Sequence, residues 1–246
     1  MADLLAVAVA AGAAALLAVP APRVVASLPE PAAVTPAGGL PDGLPDEPPK
    51  VPYADLAATP GLRVRLVVAA GLVGAVLGAA LGWRADLLLW VPLVPLGVVL
   101  AWIDWRTRLL PRLLVLPGVA AVLVLAGAVA AASGEADALL RGLVGLVASF
   151  CFYWLLWWIH AAGMGFGDVR LSAVTGFLLG HLGWAELLVG SYLPFLLLAV
   201  PGLTLAVVRR DRRLLKAAYP FGPAMLAGAA LGVVLAPWLA GGLATG

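Results

Sequence analysis

The chain has 246 residues, 63% of them hydrophobic and only 11% charged, with a mean hydropathy of +1.07. A soluble domain carries roughly a quarter charged residues, so this composition excludes one and reads as an all-α, polytopic helical bundle in a lipid bilayer. The formal net charge of +2 gives a nucleic-acid partner no support, and the single cysteine, Cys151, excludes an intrachain disulfide and any multi-cysteine metal site.

Apolar runs of about 17–25 residues, the length that crosses a hydrocarbon core, fall at 3–19, 63–82, 86–103, 112–132, 138–160, 168–183, 185–208 and 221–241. These are eight candidate transmembrane helices, of which 168–183 is short. Residues 1–19 read as an uncleaved, Ala-rich N-terminal transmembrane helix. A signal peptide would open with basic residues, whereas the one charge at the start of this run is Asp3. Residues 20–62 are rich in proline and glycine and have no apolar period. They read as a flexible cytoplasmic linker, too short for a catalytic domain. Residues 63–241 make up the remaining membrane domain. Its first span carries Gly71, Gly74, Gly78 and Gly82. The last three have the small-xxx-small spacing that lets helices approach closely, within the bundle or across a dimer.

Lysine and arginine set the orientation, because they are retained on the cytoplasmic side. With the linker inside, Arg23, Lys50, Arg63, Arg65, Arg106, Arg108, Arg112, Arg170, Arg209, Arg210, Arg212, Arg213 and Lys216 all fall inside, and only Arg84 and Arg141 outside. This assignment puts both termini outside. It also puts Asp104, closing the third span, and Asp168, opening the sixth, at the cytoplasmic face.

A carboxylate at the edge of hydrocarbon is expensive and marks a functional site by default. Two of them at one face suit aspartyl proteolysis: one activates water while the other protonates or polarises the scissile carbonyl. Close like charges split their titration and behave as a unit. Gly163, Gly165 and Gly167 flank Asp168 and permit an irregular backbone beside an extended substrate. The competing reading is an interhelical turn with a helix-capping aspartate.

These residues resemble the type IV prepilin leader peptidase family, the GxGD membrane aspartyl proteases. Gly165, Phe166, Gly167 and Asp168 match its GxGD block. Asp104 and Pro111 match its first block, and YPFGPAMLAG, with Pro220, Phe221, Gly222 and Pro223, is similar to its late proline-glycine signature. The resemblance covers roughly residues 63–241 and implies an aspartic endopeptidase at the cytoplasmic face of the bacterial plasma membrane. It would cut the short basic leader from type IV prepilins or pseudopilins. Asp104 and Asp168 carry over as the catalytic pair; Gly165, Phe166, Gly167, Pro111, Pro220 and Gly222 carry over as site architecture.

Many members insert a zinc-held methyltransferase domain after the first span, with paired CxxC motifs. Here only the proline-rich linker stands there, so neither N-methylation nor any metal or other cofactor is expected. His160 and His181 are candidate proton shuttles, with a structural role as the plainer reading. Tyr153, Trp154, Trp157 and Trp158 read as an interfacial aromatic belt. The run RRDRRLLK reads as a topology determinant, and Glu135, Asp137 and Glu186 as outer-loop charges. Three other readings compete. A proton- or cation-coupled transporter using Asp104 and Asp168 would place them near the midplane with an internal repeat. An inactive assembly protein would have no use for an intact pair of acids. A presenilin-like protease would carry its first aspartate inside an apolar helix.

Overall fold

The structure, a computed structural model, describes residues 2–30, 51–134, 136–159, 164–211 and 219–244. Lys50, Glu135, His160, Gly163, Arg212, Arg213 and Lys216 lie outside the described residues, as does the middle of the proline-rich segment. The described residues form ten helices and no strand: α1 (Ala2–Ala18), α2 (Ala21–Ala26), α3 (Tyr53–Ala57), α4 (Leu62–Leu81), α5 (Leu87–Thr107), α6 (Arg112–Ser133), α7 (Ala136–Ile159), α8 (Phe166–Leu182), α9 (Trp184–Arg209) and α10 (Phe221–Ala244).

Among the described residues, seven stretches are long and apolar enough to cross a membrane: α1 running on through α2, then α4, α5, α6, α7, α9 and α10. The polytopic helical bundle expected from composition is what forms. The eighth expected span is α8, only 17 residues long, but 13 of these are buried. It is the central helix, packed by α6, α7, α9 and α10. Its shortness reflects its place inside protein rather than against lipid.

Small residues decide which helices pair. With no hydrophobic force separating protein from lipid tails, close packing of backbones becomes the main attraction. A Cβ on Gly78 would lie 2.8 Å from the Ala6 carbonyl oxygen, and one on Gly74 would collide with Ala10. The glycine stripe of α4 therefore serves packing within the bundle, against the buried face Ala6, Ala10, Ala14 and Ala18 of α1. Gly82 stands apart from the stripe and ends α4 at φ +60. Gly145 and Gly176 bring α7 and α8 together in the same way.

The segment 20–62 departs from its reading as a flexible linker, because both described ends fold. Helix α2 continues α1. The Glu30 carboxylate accepts backbone N–H bonds from Tyr53 (3.0 Å) and Ala54 (3.2 Å), capping α3 from 23 residues away. Tyr53 and Leu56 are buried against Val25 and Leu62. Two isolated apolar residues satisfy no helical or strand period, so periodicity has nothing to detect here.

Candidate active site

Asp104 lies in the last turn of α5 and is only 4% exposed. Helix α5 stops at Arg108, whose left-handed backbone (φ 55) returns its N–H to the Asp104 carbonyl at 2.8 Å. The chain then runs through Leu109 and Leu110 to Pro111, from which α6 starts. Pro111 suits that position, because the first N–H groups of a helix have no partner within it.

Asp168 lies in the first turn of α8 and is 7% exposed. Gly165 caps the helix, and its N–H donates to Asp168 Oδ2 at 3.1 Å. This is half of a capping box; glycine has no side chain to supply the other half. The helix-capping reading is thus correct for one oxygen. The other, Oδ1, is buried and has no hydrogen-bond partner among the described residues. A buried polar atom left unpaired costs about 1–3 kcal/mol and calls for an explanation.

The second pairing comes from across the bundle. The Gly222 N–H, in the first turn of α10, donates to Asp104 Oδ2 at 2.9 Å. That N–H is free to do so because it lies at a helix start, where the macrodipole also favours a negative group. A Cβ at position 222 would sit 2.8 Å from the same oxygen, so the contact needs glycine. Pro220 is half-buried, immediately ahead of α10, and does not line the cavity described next.

Both carboxylates line one cavity of about 480 Å³, together with Pro111, Gly165, Phe166 and Gly167. Each lies within electrostatic reach of the other. Gly167 lets the loop after α5 close on α8, since a Cβ there would lie 2.7 Å from that of Leu110. Phe166 is held edge-on by Trp157 (5.1 Å) and covered by the Arg170 guanidinium at 4.7 Å. Six of the eight site residues expected from sequence therefore share the cavity wall, and Gly222 reaches it through Asp104.

Several wall residues carry no signal in the sequence. Glu30 and Tyr53, from the folded ends of the proline-rich segment, line the same cavity with Arg108, Arg112 and Arg170. Tyr53 sits outside the spans; burial and then the Glu30 charge push its phenol above the ordinary range. Tyr153 is not part of an aromatic belt. It is 1% exposed, stacks on Phe195 at 5.8 Å and donates to the Ser191 carbonyl at 3.0 Å. Trp154 and Trp158 are exposed and stack on each other at 6.4 Å, as belt residues do.

A second polar cluster occupies the far ends of the same helices. Asp86, capping α5, receives Arg84 Nε on Oδ2 at 2.8 Å and His181 Nδ1 on Oδ1 at 3.0 Å. Arg141 donates to the His181 carbonyl at 3.2 Å. His181 therefore has the structural role and is remote from the acid pair. Burial opposes the charge on Asp86, but His181 and Arg84 outweigh it and hold the carboxyl below its ordinary range.

Residues 91–208, which contain both aspartates, match the type IV leader peptidase family. The chain is 34% identical over 172 residues to a prepilin leader peptidase/N-methyltransferase of Pectobacterium carotovorum subsp. carotovorum, covering 65% of this chain and 57% of that protein. It is 32% identical over 168 residues to the protein of the same name from Dickeya chrysanthemi, covering 64% and 54%. With that of Escherichia coli (strain K12) it shares 31% identity over 147 residues, covering 58% and 60%. The chain thus spans little more than half the length of these relatives. No solved structure matches it significantly.

Proposed function

We propose that this chain, which belongs to the type IV leader peptidase family, is a membrane aspartic endopeptidase that removes the leader from type IV prepilins or pilin-like proteins. The observation that carries the proposal is the convergence of Asp104 and Asp168 on one cavity. Each has one oxygen pinned by a glycine N–H, and Asp168 Oδ1 is left unpaired. Two carboxyl groups sharing a proton can divide the work of hydrolysis. One draws a proton from water while the other gives its proton to the carbonyl oxygen of the scissile bond. The pair titrates as a unit. Its place at one end of α5 and α8 favours a protease working at a membrane face over a transporter with acids at the midplane.

The cavity belongs to the cytoplasmic face on the distribution of arginine, which gives it access to substrates whose leaders remain inside the cell. The reaction stops at hydrolysis. The relatives are named as methyltransferases too, but this chain has one cysteine and no CxxC pair in 20–62 with which to hold zinc. Residues 1–19 act as an N-terminal transmembrane helix, 20–62 as a connector whose ends join the site, and 63–241 as the protease domain. The test is mass spectrometry of a candidate prepilin incubated with the purified protein and S-adenosylmethionine. The expected result is loss of the leader from an unmethylated product. An intact substrate would overturn the proteolytic reading, and a product heavier by one methyl group would overturn the restriction to hydrolysis.

A further inference from the structure

Among the described residues, the buried carboxyl and imidazole side chains are Asp86, Asp104, Asp168 and His181. All four belong to the ends of just two helices. Helix α5 carries Asp86 at its start and Asp104 at its finish; α8 carries Asp168 in its first turn and His181 in its last. The helices run antiparallel, with the acid pair at one end and the Asp86–His181 contact at the other.

We propose that the Asp86–His181 pair is a positioning latch that fixes the relative placement of Asp104 and Asp168 from the opposite side of the bundle. The inference rests on the reading of those two acids as the catalytic pair. At mid-height the two helices share apolar core clusters. Both line an apolar cavity of about 230 Å³, through Val94, Gly97 and Leu100 of α5 and Leu171, Val174 and Leu178 of α8. Such contact is non-directional and leaves their register loosely set. Pro92 and Pro95 also remove backbone hydrogen bonds from α5 near its start. Among the described residues, the directional link between α5 and α8 outside the catalytic cavity is the polar contact at residues 86 and 181. A buried ionised carboxylate is tolerated only when paired. Asp86 meets that condition on both oxygens, with His181 on one and Arg84 on the other. An ionised carboxylate can only accept, so His181 Nδ1 carries the proton between them. Arg141 fixes the far end of α8 to α7 through the His181 carbonyl. The contact is short, directional and shielded, which are the properties of a register-setting link. It lies at the opposite end of both helices from the acids, so it acts on the reaction through them.

The experiment uses the full chain in nanodiscs and two readouts. For geometry, Cys151→Ala removes the native thiol, and spin labels are placed at Trp105→Cys and Ile159→Cys. These positions are 65% and 67% exposed, at the acid-pair ends of α5 and of α7, which is packed along α8. Asp86→Ala and His181→Ala should each shift or broaden the label–label distance distribution, while Arg84→Ala, which removes the exposed partner, leaves it unchanged. For kinetics, unlabelled Asp86→Ala and His181→Ala should lower kcat at least about tenfold with KM within about twofold, and the double variant should be no slower than the slower single. Asp86→Asn keeps an acceptor for His181 and should recover most of kcat. If the alanine variants do not insert, Asp86→Asn paired with His181→Leu supplies the same comparison. An unchanged distance distribution in Asp86→Ala or His181→Leu overturns the latch, as does an additive loss of kcat in the double variant. A wild-type chain that cleaves nothing sinks the protease reading instead, and the distance measurement then still decides the latch.

Discussion

The Gly222 N–H and the Asp104 carboxylate meet at 2.9 Å although the residues are 118 positions apart, and no side chain fits between them. The start of α10 is thereby built into the site: it holds one carboxylate oxygen of a residue that lines the cavity.

Gly222→Ala should therefore lower kcat by about tenfold or more, since the added methyl displaces either the carboxylate or α10, and one lost charge-assisted hydrogen bond costs about 1.5–3 kcal/mol. The protein should still insert and remain helical. Steady-state kinetics alongside circular dichroism checks this; a wild-type rate would show that the Gly222 contact is dispensable.

The proline-rich segment should divide functionally. Replacing 31–50 with a short Gly-Ser connector should leave cleavage near wild type, because Glu30 and Tyr53 already meet through the cap on α3. Tyr53→Ala, in contrast, strips a buried ring from the cavity wall. It should cost several-fold in activity and about 3–5 kcal/mol of local stability, as for other buried aromatics. A leader-processing assay on the two variants side by side separates the outcomes.

The acid pair, the central GxGD turn and the helical architecture were legible in the sequence because each carries a strong signal. A charge beside an apolar run is conspicuous, and Gly165, Phe166, Gly167 and Asp168 are contiguous. The cavity roof was not legible. Glu30 and Tyr53 stand in a stretch without periodicity and are joined by a side-chain cap that local pattern does not encode. Tyr153 was hidden differently: among Trp154, Trp157 and Trp158 it looks like one more interfacial aromatic, and only tertiary packing turns it inward. Asp86 carries no signal in the sequence, because its partner, His181, is 95 residues away.

Asp86 predicts a pH dependence of stability. Its carboxyl is held below the ordinary value in the folded chain. It therefore contributes stability that is fully present above that ordinary value, about 4, and is lost as pH falls through the lowered one. Thermal melts of the wild type and Asp86→Asn should converge as pH falls below about 4. A difference that goes on growing below that value would contradict the pairing.

The orientation drawn from arginine predicts that reporters inserted within 105–110 read as cytoplasmic and one at 133–137 as external. An external signal at 105–110 would put the acid pair on the wrong side of the membrane for uncleaved leaders.

The central claim is that Asp104 and Asp168 together perform peptide hydrolysis. It is tested most directly by co-expressing a candidate prepilin with the wild-type chain, Asp104→Asn or Asp168→Asn, and weighing the pilin by mass spectrometry. Asparagine preserves the shape of each carboxyl but cannot exchange the shared proton. The account predicts leader loss with the wild type and an intact prepilin with each properly inserted variant. Substantial processing by either variant would contradict it.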